Sequence, residues 1–581
     1  MNLQFLTLTA LILTACAPQT TKAVAEPAAV RESAKSHAAV GSYILYLQAK
    51  QDLDFPAAVN YLKAALKEDA DNQTLKTEMF TLLAVEGRLE EAYPYAVEEL
   101  KKDKSSLLAA LTIIARDARK GDYAGALKQI KAFPDKKDNA FLFPLLELWV
   151  QAGAGNRKKA EQALAKLNTA GTEALYLFHS ALLYDMWGDT EKAREGYEAL
   201  LKEPGGLSLR AAQAYGNFLL RHGNHREFQA LVSAYRKTAH AYPLIDEMFF
   251  TAGAIVANRK VPLSVPDAKA GLAEAFFDIS GSLADKGNPE SSLFFIRFGL
   301  ALDPKLSLAR VLLGEVLEKQ GRDDEALALY LGEKESSETY FAGRMRAAGI
   351  LARQGKPAEA EKILRDLANK RNDSPAPWIQ MGDNALSAER FLQAVDAYSE
   401  AISRTGPLNR SHWILFYSRG VAYERAGQWN KAEADLQKAL MLAPAEPLTL
   451  NYLGYSWLER GKNIPEATEM LKRALQLSPN DGYIADSLGW AYYLHRQYEK
   501  AAKMLETAVS LEPGSATIND HLGDAYWRTG RKREARYQWD KALAVNDDLP
   551  PADKKRLNVK IEKGLDAVGD KITVKTQKKA K

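Results

Sequence analysis

The sequence predicts an all-α chain: an α-solenoid, a right-handed superhelix of about 13–14 helix-turn-helix units in two blocks. Three observations predict it. Small residues recur at Ala58, Ala92, Ala126, Ala160 and Ala193, then at Ser292, Ala326, Ala360, Ala394, Ala432, Ala467, Ala501 and Ala535, mostly 34 residues apart. Gly314, Gly382, Gly420, Gly454, Gly489 and Gly523 precede this anchor by twelve residues, or by thirteen where one residue is inserted. Pro304, Pro444, Pro479 and Pro513 follow it by twelve. A helix pair cannot bury its apolar face alone, so a period of this length implies stacking of unit on unit. Glycine in the middle of a helix costs about 1 kcal/mol relative to alanine. That cost implies close packing: the glycine and the small anchor are expected to face each other where the two helices of a unit cross.

The elements follow in chain order. Residues 1–15 contain an uncharged apolar run, Leu3 to Ala15. It is too short for a helix crossing a bilayer of about 30 Å, and reads as a signal-peptide core. Residues 16–36 are Ala-, Thr- and Pro-rich, a tether with a coil dimension on the order of 25 Å. Residues 37–240 keep the period but mostly lose the glycine, and form a degenerate N-terminal block. Phe228 holds the sixth anchor place. Residues 241–270 read as an irregular seam, because Pro262 and Pro266 force a non-helical connection. Residues 271–546 form the C-terminal block, where turns such as "KQGR", "RQGK", "RAGQ" and "RTGR" separate first from second helices. Residues 547–568 read as a polar capping helix, and 569–581 as a basic disordered tail.

Composition narrows the function. With 78 Lys+Arg against 74 Asp+Glu the net charge is +4, far from the basic excess of a nucleic-acid-binding protein. Of the eight histidines only His222 and His225 lie close in sequence, short of a metal site. No phosphate-binding loop, HExxH or GxSxG motif occurs, so neither a cofactor nor catalysis is expected.

Two resemblances carry the rest. Leu13-Thr14-Ala15-Cys16 resembles the lipobox of bacterial lipoproteins. It implies acylation of Cys16, the sole cysteine, and a periplasmic chain. Ala17 stands where an Asp would be the inner-membrane retention signal, which implies the outer membrane. The repeat itself, over about residues 40–546, resembles the tetratricopeptide repeat. Relatives of this type imply a non-catalytic scaffold that binds protein partners in the cell envelope, recruiting cell-wall hydrolases or proteases or serving envelope assembly. A cytoplasmic scaffold with a misread N-terminus, and a non-catalytic subunit of an envelope enzyme complex, are the alternatives.

In this family the second, fifth, ninth and twelfth residues of a unit face the ligand, counting the glycine as the eighth. Carried over, they are Leu448, Asn451, Tyr455 and Leu458; Tyr483, Asp486, Trp490 and Tyr493; and Thr517, Asp520, Asp524 and Trp527. Asn451, Tyr455, Tyr483, Asp486, Trp490, Tyr493, Asp520, Asp524 and Trp527 are the candidate partner-binding residues. Solvent-facing aromatics suit hot spots, and the aspartates suit a segment with apolar anchors and some positive charge.

Overall fold

The computed structural model describes residues 37–134, 141–203, 207–235, 261–285, 289–545 and 549–568. Cys16 and the segments read from sequence as signal peptide, tether and basic tail lie outside them, as does most of the stretch read as a seam. The described residues are helical, joined by turns and loops and with no strand among them.

The first helix pairs are α1 (His37–Gln51) with α2 (Phe55–Glu68), α3 (Gln73–Val85) with α4 (Leu89–Lys102), and α5 (Leu107–Lys120) with α6 (Tyr123–Ala132). Next come α7 (Leu142–Gly153) with α8 (Arg157–Ala165), α9 (Glu173–Met186) with α10 (Thr190–Leu200), and α11 (Leu209–Arg221) with α12 (His225–Tyr235). After the connection follow α13 (Ala268–Asp285), α14 (Pro289–Leu302), α15 (Ser307–Lys319), α16 (Asp323–Gly332), α17 (Tyr340–Arg353) and α18 (Pro357–Lys370). The remainder comprises α19 (Ala376–Ser387), α20 (Phe391–Ser403), α21 (Trp413–Arg425), α22 (Trp429–Leu442), α23 (Pro447–Glu459), α24 (Ile464–Leu477), α25 (Gly482–Leu494), α26 (Tyr498–Leu511), α27 (Ala516–Arg528), α28 (Lys532–Ala544) and α29 (Pro551–Lys563). Two compact units result, unit 1 through Ile363 and unit 2 from Leu364.

Local chemistry sets the helix ends. Asp54, Asp122, Asp189, Ser208, Asp481 and Ser515 cap helix N-termini through side-chain oxygens that accept backbone N–H groups, satisfying donors the helix leaves free. The turn inside a unit needs one left-handed residue, and glycine supplies it at Gly87, Gly121, Gly155, Gly188, Gly321, Gly355, Gly427 and Gly530. Leu53, Glu389 and Arg496 hold the same place with φ near +60°, a conformation side chains adopt at some cost. The repeat geometry therefore overrides local preference at three turns.

Every alanine anchor from Ala58 to Ala535 is fully buried. At Gly420 and Gly454 the anchor opposite is close as expected, the Ala432 and Ala467 carbonyl oxygens lying 3.3 and 3.1 Å from where a Cβ would sit, but elsewhere another neighbour is nearer. A Cβ on Gly314, Gly382, Gly489 or Gly523 would come within 2.4–2.7 Å of the side chain four residues after the anchor, respectively Tyr330, Tyr398, Leu505 and Trp539. The close approach is real, but its tightest point at these glycines lies one turn farther along the second helix.

In unit 1 one continuous core runs from Tyr46 to Leu302. It includes α13 and α14, which pack on the first helices of earlier units: α13 on α7 and α9, α14 on α3 and α5. Phe276, Phe294, Phe295 and Phe298 carry this contact into the core and are all buried. Of the connection, residues 261–267 are described; Val265 is buried and Asp267 caps α13 through Ala270 N–H at 2.8 Å. In unit 2 the buried apolar residues form a series of smaller clusters, each spanning a run of consecutive helices.

Candidate partner-binding site

A solenoid offers a partner the face formed by its first helices, and unit 1 has already filled much of that face. Trp149 of α7 lies where a Cβ on Gly271 would sit, 2.0 Å from its Cε3, so only glycine lets α13 approach. The Trp149 indole N–H donates to His179 Nδ1 at 3.0 Å, and His179 Nε2 lies 3.0 Å from Asp278 Oδ2 of α13. Arg210 of α11 donates from Nε to both carboxylate oxygens of Glu274 at 3.0 Å, and through its terminal nitrogens to Glu274, Gln213 and the Ser264 carbonyl. Burial pushes the Glu274 carboxyl up while Arg210 opposes it. Farther along, Glu86 of the α3–α4 turn pairs with Arg297 of α14 and with Arg322. These are buried ionic and aromatic contacts, so the chain's own helices occupy the face that sequence reasoning leaves open in unit 1.

Unit 2 decides where the sequence-predicted residues stand. Asp486, Trp490, Tyr493, Asp520, Asp524 and Trp527 are buried, which corrects the expectation that they face solvent. Helix α27 covers those of α25, and α29 with the residues just beyond it covers those of α27. His521 of α27 places its Nδ1 2.9 Å from Asp486 Oδ1 and stacks on Trp490 with ring centroids 4.1 Å apart. Tyr493 also stacks on Trp490, with ring centroids 4.6 Å apart. Lys560 of α29, itself fully buried, donates to Asp520 Oδ1 at 2.5 Å and Asp524 Oδ1 at 2.6 Å. The Trp527 indole donates to Asp566 at 2.9 Å, and that of Trp539 to Asp524 at 3.0 Å. The aspartates are thus spent on internal cations and offer no charge to a positively charged ligand.

Three first helices nevertheless expose one apolar residue each at the same register. Ile414, Leu448 and Tyr483, the second positions of α21, α23 and α25, are 42%, 48% and 58% exposed. Asn451 and Tyr455 lie beside them, half-buried; burial raises the Tyr455 phenol pKa, and Glu459 and Asp486 add to the shift. Tyr417 continues the surface inward, edge-on to Trp413 and Tyr452 at 5.8 and 5.7 Å. Ile414 is absent from the sequence-derived set, although its spacing of 34 from Leu448 marks it.

Comparison with known proteins fits the repeat. Residues 413–446 and 487–552 each match a tetratricopeptide repeat family. The chain contains tetratricopeptide repeats. A tetratricopeptide repeat-containing protein of Pseudomonas aeruginosa is 27% identical over 183 residues, 31% of this chain and 30% of that protein. The BBSome complex member BBS4 of Bos taurus is 31% identical over 21% of this chain and 24% of its own length. The E3 ubiquitin-protein ligase CHIP of Arabidopsis thaliana is 31% identical over 18% of this chain and 38% of its own length. The chain therefore spans well under half of these relatives. Among solved structures, the Cut9–Hcn1 complex of the APC/C shares 16% identity over 92% of this chain and 98% of that one, with a TM-score of 0.37. The MamA protein shares 22% over 30% and 92%, with a TM-score of 0.26. Tetratricopeptide repeats are protein–protein interaction modules, and that role holds for this scaffold at the level of its repeats. Among the described residues no helix is long and apolar enough to cross a membrane, and no cluster of three or more His, Cys, Asp or Glu could hold a metal ion.

Proposed function

We propose that this chain is a non-catalytic, lipid-anchored scaffold of the bacterial outer membrane, and that it holds a protein partner on unit 2. The observation that carries the binding surface is the ladder of Ile414, Leu448 and Tyr483, exposed at one register beside buried and half-buried neighbours. Packed helix axes lie about 8–10 Å apart, and an extended chain advances about 3.3 Å per residue. A segment with an apolar side chain at every third position would therefore meet all three rungs. Recruitment of cell-wall hydrolases or proteases, or service to envelope assembly, suits such a surface.

Changing Ile414, Leu448 and Tyr483 together to serine is expected to leave the melting temperature within a few degrees, since exposed side chains contribute little to folding. Partner capture from detergent-solubilised envelope should fall at least about tenfold. Proteins enriched equally by the wild type and the triple variant would refute the ladder as the binding surface.

The anchor rests on Leu13-Thr14-Ala15-Cys16. Cys16→Ser is expected to leave an unprocessed precursor or a soluble periplasmic chain, because acyl chains supply nearly all membrane affinity in such proteins. A wild-type chain whose intact mass shows no acyl group at Cys16 would exclude anchoring.

A further inference from the structure

Helix α29 closes unit 2 with more than apolar contact. Leu557, and Leu565 just beyond the helix, are buried against the last pair, and that part of the contact is insensitive to pH. Lys560 adds a buried ammonium between two buried carboxylates, Asp520 and Asp524. One residue along α27, His521 holds Asp486 at 2.9 Å. With every group ionised, Asp486, Asp520 and Asp524 face only His521 and Lys560, three negative charges against two positive. A buried cluster carrying one uncompensated charge is costly, and taking up one proton makes it neutral.

Of the other charges on these helices, the Arg556 guanidinium of α29 has buried terminal nitrogens without a hydrogen-bond partner, and Arg528, Lys532, Arg536 and Glu506 have partners outside the cluster. Arg528, at the end of α27, pairs with Asp566 at 2.9 Å. From α28, Lys532 and Arg536 lie over the Trp527 ring at 3.6 and 5.4 Å, and Trp539 gives Asp524 its indole N–H. From α26, Glu506 is turned to Tyr526 and Arg531.

We propose that α29 is a pH-dependent latch, docked more tightly in acidic than in neutral solution and released progressively as pH rises, uncovering Asp520, Asp524 and Trp527. Titration of the cluster supports the direction. Burial, with Asp520 beside it, raises the Asp524 carboxyl from 3.8 to about 6 against the pull of Lys560. Burial alone would lower the His521 imidazolium, but Asp486 outweighs it and the pKa lies above its ordinary value. Both groups bind their proton more tightly when docked. Docking is therefore favoured most below pH 4, weakens as Asp524 ionises between about pH 4 and 6, and weakens further as His521 loses its proton above 6.5.

The test is hydrogen exchange of the full chain between pH 5 and 8, read as protection factors so that intrinsic exchange cancels. Protection in residues 551–563 should fall at least about tenfold over this range, each group contributing up to tenfold per pH unit, while α21–α24 change little. Asp524→Asn keeps an acceptor for Lys560 and Trp539 but cannot titrate, so it should flatten the dependence below pH 6.5. Lys560→Met should strip protection from α29 at pH 7.5 and regain part of it at pH 5, where Asp524 takes up a proton. Equal protection at both ends of the range in the wild type, or an Asp524→Asn variant as pH-sensitive as the wild type, overturns the latch.

Discussion

Replacing Arg210 by leucine is expected to destabilise unit 1 by about 3–5 kcal/mol, because it strands a buried carboxylate without its partner. Glu274 accepts two bonds from the Arg210 Nε, and burial already favours its protonated form. The same guanidinium reaches Gln213, which donates to Glu338, and the Ser264 carbonyl ahead of α13. One substitution therefore loosens α11, the connection and α13 together. Denaturant unfolding should show an early transition for unit 1. Hydrogen exchange should accelerate over α3 to α14, since α13 and α14 pack on α3, α5, α7 and α9. Acceleration confined to α10–α12 would contradict this coupling. Replacing both Arg210 and Glu274 by leucine should recover much of the loss, because a paired ion set can often be exchanged for apolar packing at little net cost.

The second large effect belongs to unit 2. Gly489→Leu is expected to cost about 2–4 kcal/mol, as overpacking at a tight crossing usually does. A Cβ there would already stand 2.7 Å from Leu505 Cγ and 3.4 Å from the Leu505 backbone nitrogen. The neighbour is a fully buried side chain, so neither helix can give way without opening the pair. Because each buried cluster of unit 2 spans a run of consecutive helices rather than the whole unit, stability there approximates a sum of terms between adjacent repeats. Faster exchange should stay within about residues 450–545, whereas loosening of α19–α22 to the same degree would refute a serial core.

The contrast between these two variants marks what the sequence made legible. The period, the anchors and the glycines are local demands: a helix crossing tolerates only small residues, and it repeats every 34 positions. Ala58 through Ala535 are buried as that logic requires. The filling of unit 1 was not legible, because α13 reads as one more amphipathic helix and no periodicity states which surface it will cover. Gly271 was the one local hint, and its partner Trp149 stands more than a hundred residues earlier. The site was legible at its rim and not at its centre. Leu448 and Tyr483 are open as their register implies. Asp486 and Trp490 are buried because the following first helix brings His521 over them, and Asp520 and Asp524 because Lys560 arrives from α29. A rule that assigns positions one unit at a time has no term for the unit that comes next.

The packing of α13 and α14 also dictates an order of events as the chain folds. The ion pair between Glu86 and Arg322 joins residues 236 apart, that of Arg210 and Glu274 residues 64 apart, and Gln213 meets Glu338 across 125. Bringing such distant segments together requires loop closure before any contact rewards it, which slows folding relative to an array whose contacts are all local. The first six helix pairs of unit 1 must wait, part of their apolar first-helix face unsatisfied, until residues 268–302 have emerged. Exposed surface of that kind is prone to aggregation. During synthesis, unit 1 therefore has a long vulnerable interval, while unit 2 can close pair by pair as it appears.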